Sequence, residues 1–260
     1  MTSPILNRVA QALLALTVVA AFAAGLLAHA RPDAVWPVGV LLVVATASTL
    51  VSLTRTLQVQ NVCVTAAFIL VIAAAVLFLD AKTAIPFGPM IFTANSGEQI
   101  FSALPLTPLL LWLAVILNCR GVARLILRPW RKLRTYGFRV IGLTCLLTVL
   151  FDLGLEPFAT RAHRFWIWDV ASAAPGWFAA PWVNFLGWAM TTLLILAFTT
   201  PWLINKMPSG KRPPDIHPLF LWLTLNLYLA ASLATHQLWP ATATVLGVSL
   251  VTSVLAWRNK

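Results

Sequence analysis

Apolar runs close to twenty residues long recur along the chain. The short segments between them carry nearly all of its charge. A run of that length crosses the hydrocarbon core of a bilayer as one helix. The pattern predicts eight spans, near residues 9–29, 36–54, 61–79, 105–127, 138–156, 181–204, 218–236 and 240–257. Pro181, Pro218 and Pro240 stand at predicted helix starts, where the missing N–H breaks no helical bond. The first run, VAQALLALTVVAAFAAGLLA, follows Arg8 and leads into Ala28-His29-Ala30, an A-x-A pattern like a signal-peptide cleavage site. A signal-peptide core is usually about 7–15 residues long. This run is longer and reads as a retained first helix. Residues 85–106, IPFGPMIFTANSGEQIFSALPL, are too broken by Pro and Gly to span. They read as a lid or re-entrant loop, which is tolerated only when buried in protein or lining a cavity. The expected fold is an all-α polytopic transmembrane bundle forming one domain over residues 1–260.

Composition supports a membrane protein and sets other classes aside. The chain is 60% hydrophobic and 10% charged, whereas soluble domains carry about 25% charged residues. The net charge of +11 reflects topology rather than nucleic-acid binding, because Lys and Arg collect on alternate loops. Fourteen of the eighteen fall on one side: Arg8, Arg55, the cluster Arg120, Arg124, Arg128, Arg131, Lys132, Arg134 and Arg139, then Lys206, Lys211, Arg212, Arg258 and Lys260. Arg31, Lys82, Arg161 and Arg164 fall on the other. The positive-inside rule then puts both termini on the cytoplasmic side of the plasma membrane. The stretch RGVARLILRPWRKLR (120–134) is read as an orientation anchor that also touches anionic lipid headgroups.

Cys63, Cys119 and Cys145 lie in or beside apolar runs without CxxC spacing and are read as small hydrophobic packing residues. His29, His163, His217 and His236 form no HxxxH, HxxH or HExxH pairing, and His163 reads as a solvated loop residue. No GxGxxG, P-loop or GxSxG occurs. No metal or cofactor is expected.

The seven acids are the informative residues. Asp33, Asp80, Glu98, Asp152, Glu156 and Asp169 all fall on the side opposite the basic cluster, and only Asp215 falls with it. Acids contribute little to topology, so the orientation rule does not require this sorting. Asp152 and Glu156 are four apart at the end of a span and share a helix face. They repel each other, lie at the pole disfavoured by the helix dipole, and are costly against lipid. Such a pair is expected to face an interior cavity with one member holding a proton, as a general acid does. The plainer reading is an ion pair with Arg161 or Arg164. Glu156-Pro157 is expected to stop the helix. Asn184, inside the sixth span, needs a hydrogen-bond partner. Trp166, Trp168, Trp177, Trp182 and Trp188 read as an interfacial belt or as the lining of a slot for a flat apolar ligand.

The blocks PFGxxxFT (86–93), DLGLEPFA (152–159), WIW (166–168) and PWVNFLGW (181–188) together resemble the membrane carotenoid biosynthesis family, which includes carotenoid 1,2-hydratases and bisanhydrobacterioruberin hydratase. The resemblance runs from about residue 60 to 205. It implies addition of water across a terminal double bond of an acyclic or monocyclic carotenoid held in the bilayer, without a cofactor. Asp152 and Glu156 become the expected acid and base, with Asp80 and Glu98 contributing from the lid side. Phe87, Trp166, Trp168, Asn184 and Trp188 become the expected substrate lining. The partners it implies are the polyisoprenoid substrate, membrane lipids and other enzymes of the pathway. The family's tyrosines near Met90, Phe92, Trp177 and Phe178 are not found here; the two tyrosines are Tyr136 and Tyr228. Rival readings are a lycopene cyclase-like protein, a lipid transporter and a non-catalytic scaffold.

Overall fold

The computed structural model describes residues 4–30, 36–97, 99–100, 104–169, 176–204 and 214–259. Among these, eight helices are long and apolar enough to cross a membrane. They are α1 (Pro4–Ala30), α2 (Trp36–Thr54), α3 (Val59–Thr83), α4 (Leu106–Ile126), α5 (Tyr136–Pro157), α6 (Trp182–Thr199), α7 (His217–Thr235) and α8 (Trp239–Arg258). Each predicted span is present, with three instructive differences at the ends. α3 runs on to Thr83, so Asp80 lies in its last turn. α6 stops at Thr199 rather than 204; Thr200 still has helical geometry, but Pro201 beyond it has no N–H to continue the helical bonds.

The third difference corrects the expected stop at Glu156-Pro157. The chain stays helical through Pro157 and turns once more as a π turn over Phe158–Ala162. Pro157 has no N–H to give the Leu153 carbonyl one turn earlier. The indole Nε1 of Trp177 donates to that carbonyl instead, at 2.8 Å. The main chain therefore tolerates the proline, and Glu156 remains on a rigid helix.

α4 is the axis of the bundle. It packs against α2, α3, α5, α7 and α8 and is buried along nearly its whole length. Hydrocarbon tails are as apolar as leucine, so membrane helices are held by close packing and polar contacts. Asn118 on α4 donates to the Thr49 hydroxyl on α2 at 2.8 Å. At the basic end, Arg55 pairs with Asp215 at 2.7 Å, and Ser48 meets the His217 ring at 3.0 Å. These contacts tie α2 to the start of α7.

The opposite end is capped by short strands. The segment expected to form a lid carries β1 (Met90–Phe92), β2 (Gln99–Ile100) and β3 (Leu104–Pro105). β1 pairs antiparallel with β4 (Trp166–Trp168), setting Phe92 opposite Trp166 and Met90 opposite Trp168. β2 pairs with β3, and β5 (Gly176–Trp177) pairs with β6 (Ala180–Pro181). Asp33 and Glu98 lie outside the described residues.

Gly154 lets α8 approach α5 on the face behind the carboxyl pair. A Cβ built there would lie 2.2 Å from Val245 Cγ2. Gly154→Ala is expected to lower stability by about 1–3 kcal/mol, read as an earlier unfolding transition in detergent. Adding Val245→Ala should restore most of the loss. A neutral Gly154→Ala would contradict this packing.

Candidate active site

The last two turns of α5 hold Asp152 and Glu156 on one face, as the i, i+4 spacing requires. Both are fully buried, at 0% and 1% exposure. Neither meets a Lys or Arg among the described residues; the ion pair expected with Arg161 or Arg164 does not form. Their partners come from two other elements, β4 and α6. Glu156 Oε2 accepts from the indole Nε1 of Trp166 at 3.3 Å and of Trp168 at 3.1 Å. Glu156 Oε1 accepts from Asn184 Nδ2 at 3.0 Å, and the same nitrogen donates to Asp152 Oδ2 at 2.8 Å. Asp152 Oδ1 is enclosed without a partner.

Local sequence explains how these donors arrive. In β4 alternate side chains point the same way, so Trp166 and Trp168 both reach inward while Ile167 between them is exposed. Pairing with β1 holds that register. Asn184 lies in the first turn of α6, where β6 delivers the chain through Pro181.

Asp80 sits apart from the pair and has a different use. Its Oδ1 accepts from the main-chain N–H of Phe87 at 2.8 Å, and its main-chain carbonyl accepts from Ala84 at 2.7 Å. It fastens the segment after α3 and so places Phe87. Gly187 makes room for that segment: a Cβ there would lie 2.7 Å from the Phe87 ring and 2.8 Å from the Pro86 carbonyl oxygen. Phe87 then packs beside Trp112 and Trp188, which stack on each other at 4.0 Å.

These side chains enclose a small cavity of about 20 Å³, into which Glu156 and Asn184 face, with Phe87, Trp112, Trp166 and Trp188 among its walls. That is room for a single water molecule. A second cavity of about 40 Å³ lies between α2, α4, α5 and α7, with almost wholly apolar walls that include Phe158, Phe165 and Tyr228. The two share Pro108, Leu111 and Trp166 as walls.

Of the residues expected to line a substrate, Phe87, Trp166, Asn184 and Trp188 line the small cavity with Glu156, and Trp168 donates to Glu156 without lining it. The five tryptophans read as one belt do not behave alike. Trp166, Trp168 and Trp188 are buried in the site, Trp177 serves the α5 main chain, and Trp182 is exposed. His163 is not the solvated residue expected. It is half-buried, meets the Ser232 hydroxyl at 3.1 Å, packs tilted against Phe158 at 4.4 Å and stacks on Phe165 at 5.4 Å. Burial, and then the neighbouring His236, push its pKa down to about 4, so it is neutral at ordinary pH. Trp112 escaped sequence reasoning because it lies within a leucine-rich run. Its one signal is a tryptophan placed inside a span instead of at an interface. Tyr228 escaped for a similar reason.

Residues 38–252 match a family described as carotenoid biosynthesis protein. The chain belongs to that family. The match runs well beyond residues 60–205 and takes in α2, α7 and most of α8, so the resemblance is not confined to the blocks around the carboxyls. No curated protein and no solved structure matched. Membership assigns a role in carotenoid biosynthesis, and eight apolar helices make the chain a multi-pass membrane protein. A lipophilic substrate within the bilayer fits both findings.

If Asp80 acts by holding Phe87, an acceptor at that position is what counts. Asp80→Ala is expected to lower stability by roughly 1–3 kcal/mol, and Asp80→Asn, which keeps a carbonyl oxygen, by clearly less. Equal losses in detergent unfolding would show that the bond to Phe87 is not what the residue supplies.

Proposed function

We propose that the protein hydrates a terminal carbon–carbon double bond of an acyclic or monocyclic carotenoid. The observation that carries this reading is a buried carboxyl, Glu156, facing a small aromatic-walled cavity in a membrane protein of carotenoid biosynthesis. An isolated alkene is a weak base. To protonate it an enzyme needs an acid shielded from water, a place for the cation, and one water to capture it.

The carboxyl pair supports the first need. As the proton leaves, a new C–H bond forms on the less substituted carbon and a tertiary cation develops on its neighbour. The ring faces of Trp166 and Trp188 suit that cation, and the carboxylate left behind opposes its charge. Three N–H groups already aimed at Glu156 meet the negative charge as it develops. A water the size of the cavity then adds through oxygen and returns one proton to the carboxylate. The product is a tertiary alcohol. One proton leaves and one returns, so the balance needs no cofactor.

The larger apolar cavity suits the hydrocarbon adjoining the reacting end. With the basic residues at the cytoplasmic face, the carboxyls lie at the far side of the cytoplasmic membrane. A polyene would reach them sideways from the bilayer.

Expression in cells that accumulate lycopene or another acyclic carotenoid tests this directly. Pigments heavier by one water per reacted end are expected, and Glu156→Gln should lower their yield by roughly a hundredfold or more with the folded protein still in the membrane. An isomer of unchanged mass would mean that the cation closes a ring, as in a cyclase. No change across several acyclic substrates would overturn an enzymatic role.

A further inference from the structure

The two carboxyls differ in their surroundings more than in their chemistry. We infer that Glu156 alone gives up and takes back the proton, while Asp152 is an uncharged positioning residue that fixes Asn184. The inference rests on the hydration reading and divides the labour within that site.

Access is the first distinction. Glu156 and Asn184 face the small cavity, whereas Asp152 is fully enclosed one turn behind and does not line it. A group that protonates an alkene must reach it, and Asp152 does not.

Hydrogen bonding is the second. Glu156 faces three N–H donors, two of them indoles, which can only donate. That arrangement is matched to a carboxylate and strengthens as the proton departs. Asp152 has one donor, and its Oδ1 has none. An anion there would keep an unpaired oxygen in apolar surroundings. A neutral acid leaves at most an unpaired hydroxyl, which costs far less.

The third is the bridge. One amide nitrogen, Asn184 Nδ2, directs one hydrogen to each carboxyl. Asp152 Oδ2 therefore sets the plane of the amide, and the amide presents its other hydrogen to Glu156. Through the whole cycle the O–H bond of Glu156 breaks and re-forms while Asp152 is unchanged.

Two measurements test this on the intact protein. In the infrared, the substrate-free protein should show one D2O-sensitive protonated-carboxyl C=O band that vanishes in Asp152→Asn and persists in Glu156→Gln, and a second, from Glu156, that vanishes only in Glu156→Gln. This readout needs no substrate, so it stands apart from the hydration assay. In that assay, Asp152→Asn, which still offers an acceptor to Asn184, should keep product formation within about tenfold of the parent. Asp152→Leu, which offers none, and Glu156→Gln should each lower it by about a hundredfold. An Asp152→Asn protein that keeps every D2O-sensitive carboxyl band of the parent would overturn the inference. So would an Asp152→Asn protein that is folded but as inactive as Glu156→Gln. If the parent protein hydrates nothing, the hydration reading falls, while the infrared result still locates the proton.

Discussion

A carboxyl group enclosed at the end of a membrane helix must find hydrogen-bond donors inside the protein, because the bilayer offers none. Everything at this end of the bundle supplies them to Glu156. β4, as a strand, makes two tryptophans two residues apart face the same way. β1 holds that strand in register. α6 begins where it does so that Asn184 lies opposite both acids. Were Glu156 on a frayed helix end, none of these distances would hold. The π turn beyond Pro157, and the Trp177 indole that replaces the lost main-chain donor, keep it rigid.

The same constraint makes the site precise. Helices in lipid gain little from apolar contact with one another, so fit depends on small residues and on polar contacts. Gly154 admits α8 behind the acid pair, and Gly187 admits the Phe87 segment in front of it. Asp80, buried and bound to the Phe87 N–H, spends its polarity on the wall of the cavity. The site is therefore assembled from α3, α4, α5, α6 and β4, with α4 as common support.

Much of this was legible in the chain. Run length alone located the eight spans, since a helix must match the thickness of the bilayer. The four-residue spacing put Asp152 and Glu156 on one face, and the cost of burying them there marked the pair as purposeful. Asn184 was visible as a polar residue where only a partner justifies one. Periodicity is silent on lateral neighbours. When every face is apolar, nothing in a leucine-rich run tells Trp112 that it will stack on Trp188, or Tyr228 that it will line a cavity. The split among the five tryptophans depended on strand pairing between distant segments. The stop expected at Pro157 failed because a side chain twenty residues later supplied the missing donor.

The central claim is that a carboxylic proton is transferred to carbon. Turnover in membranes equilibrated with D2O measures this directly. The account predicts one carbon-bound, non-exchangeable deuterium beside each new tertiary hydroxyl, found by mass and NMR of the product. An alcohol formed without carbon-bound deuterium would contradict it, because the new C–H hydrogen would then have come from somewhere other than an exchangeable acid.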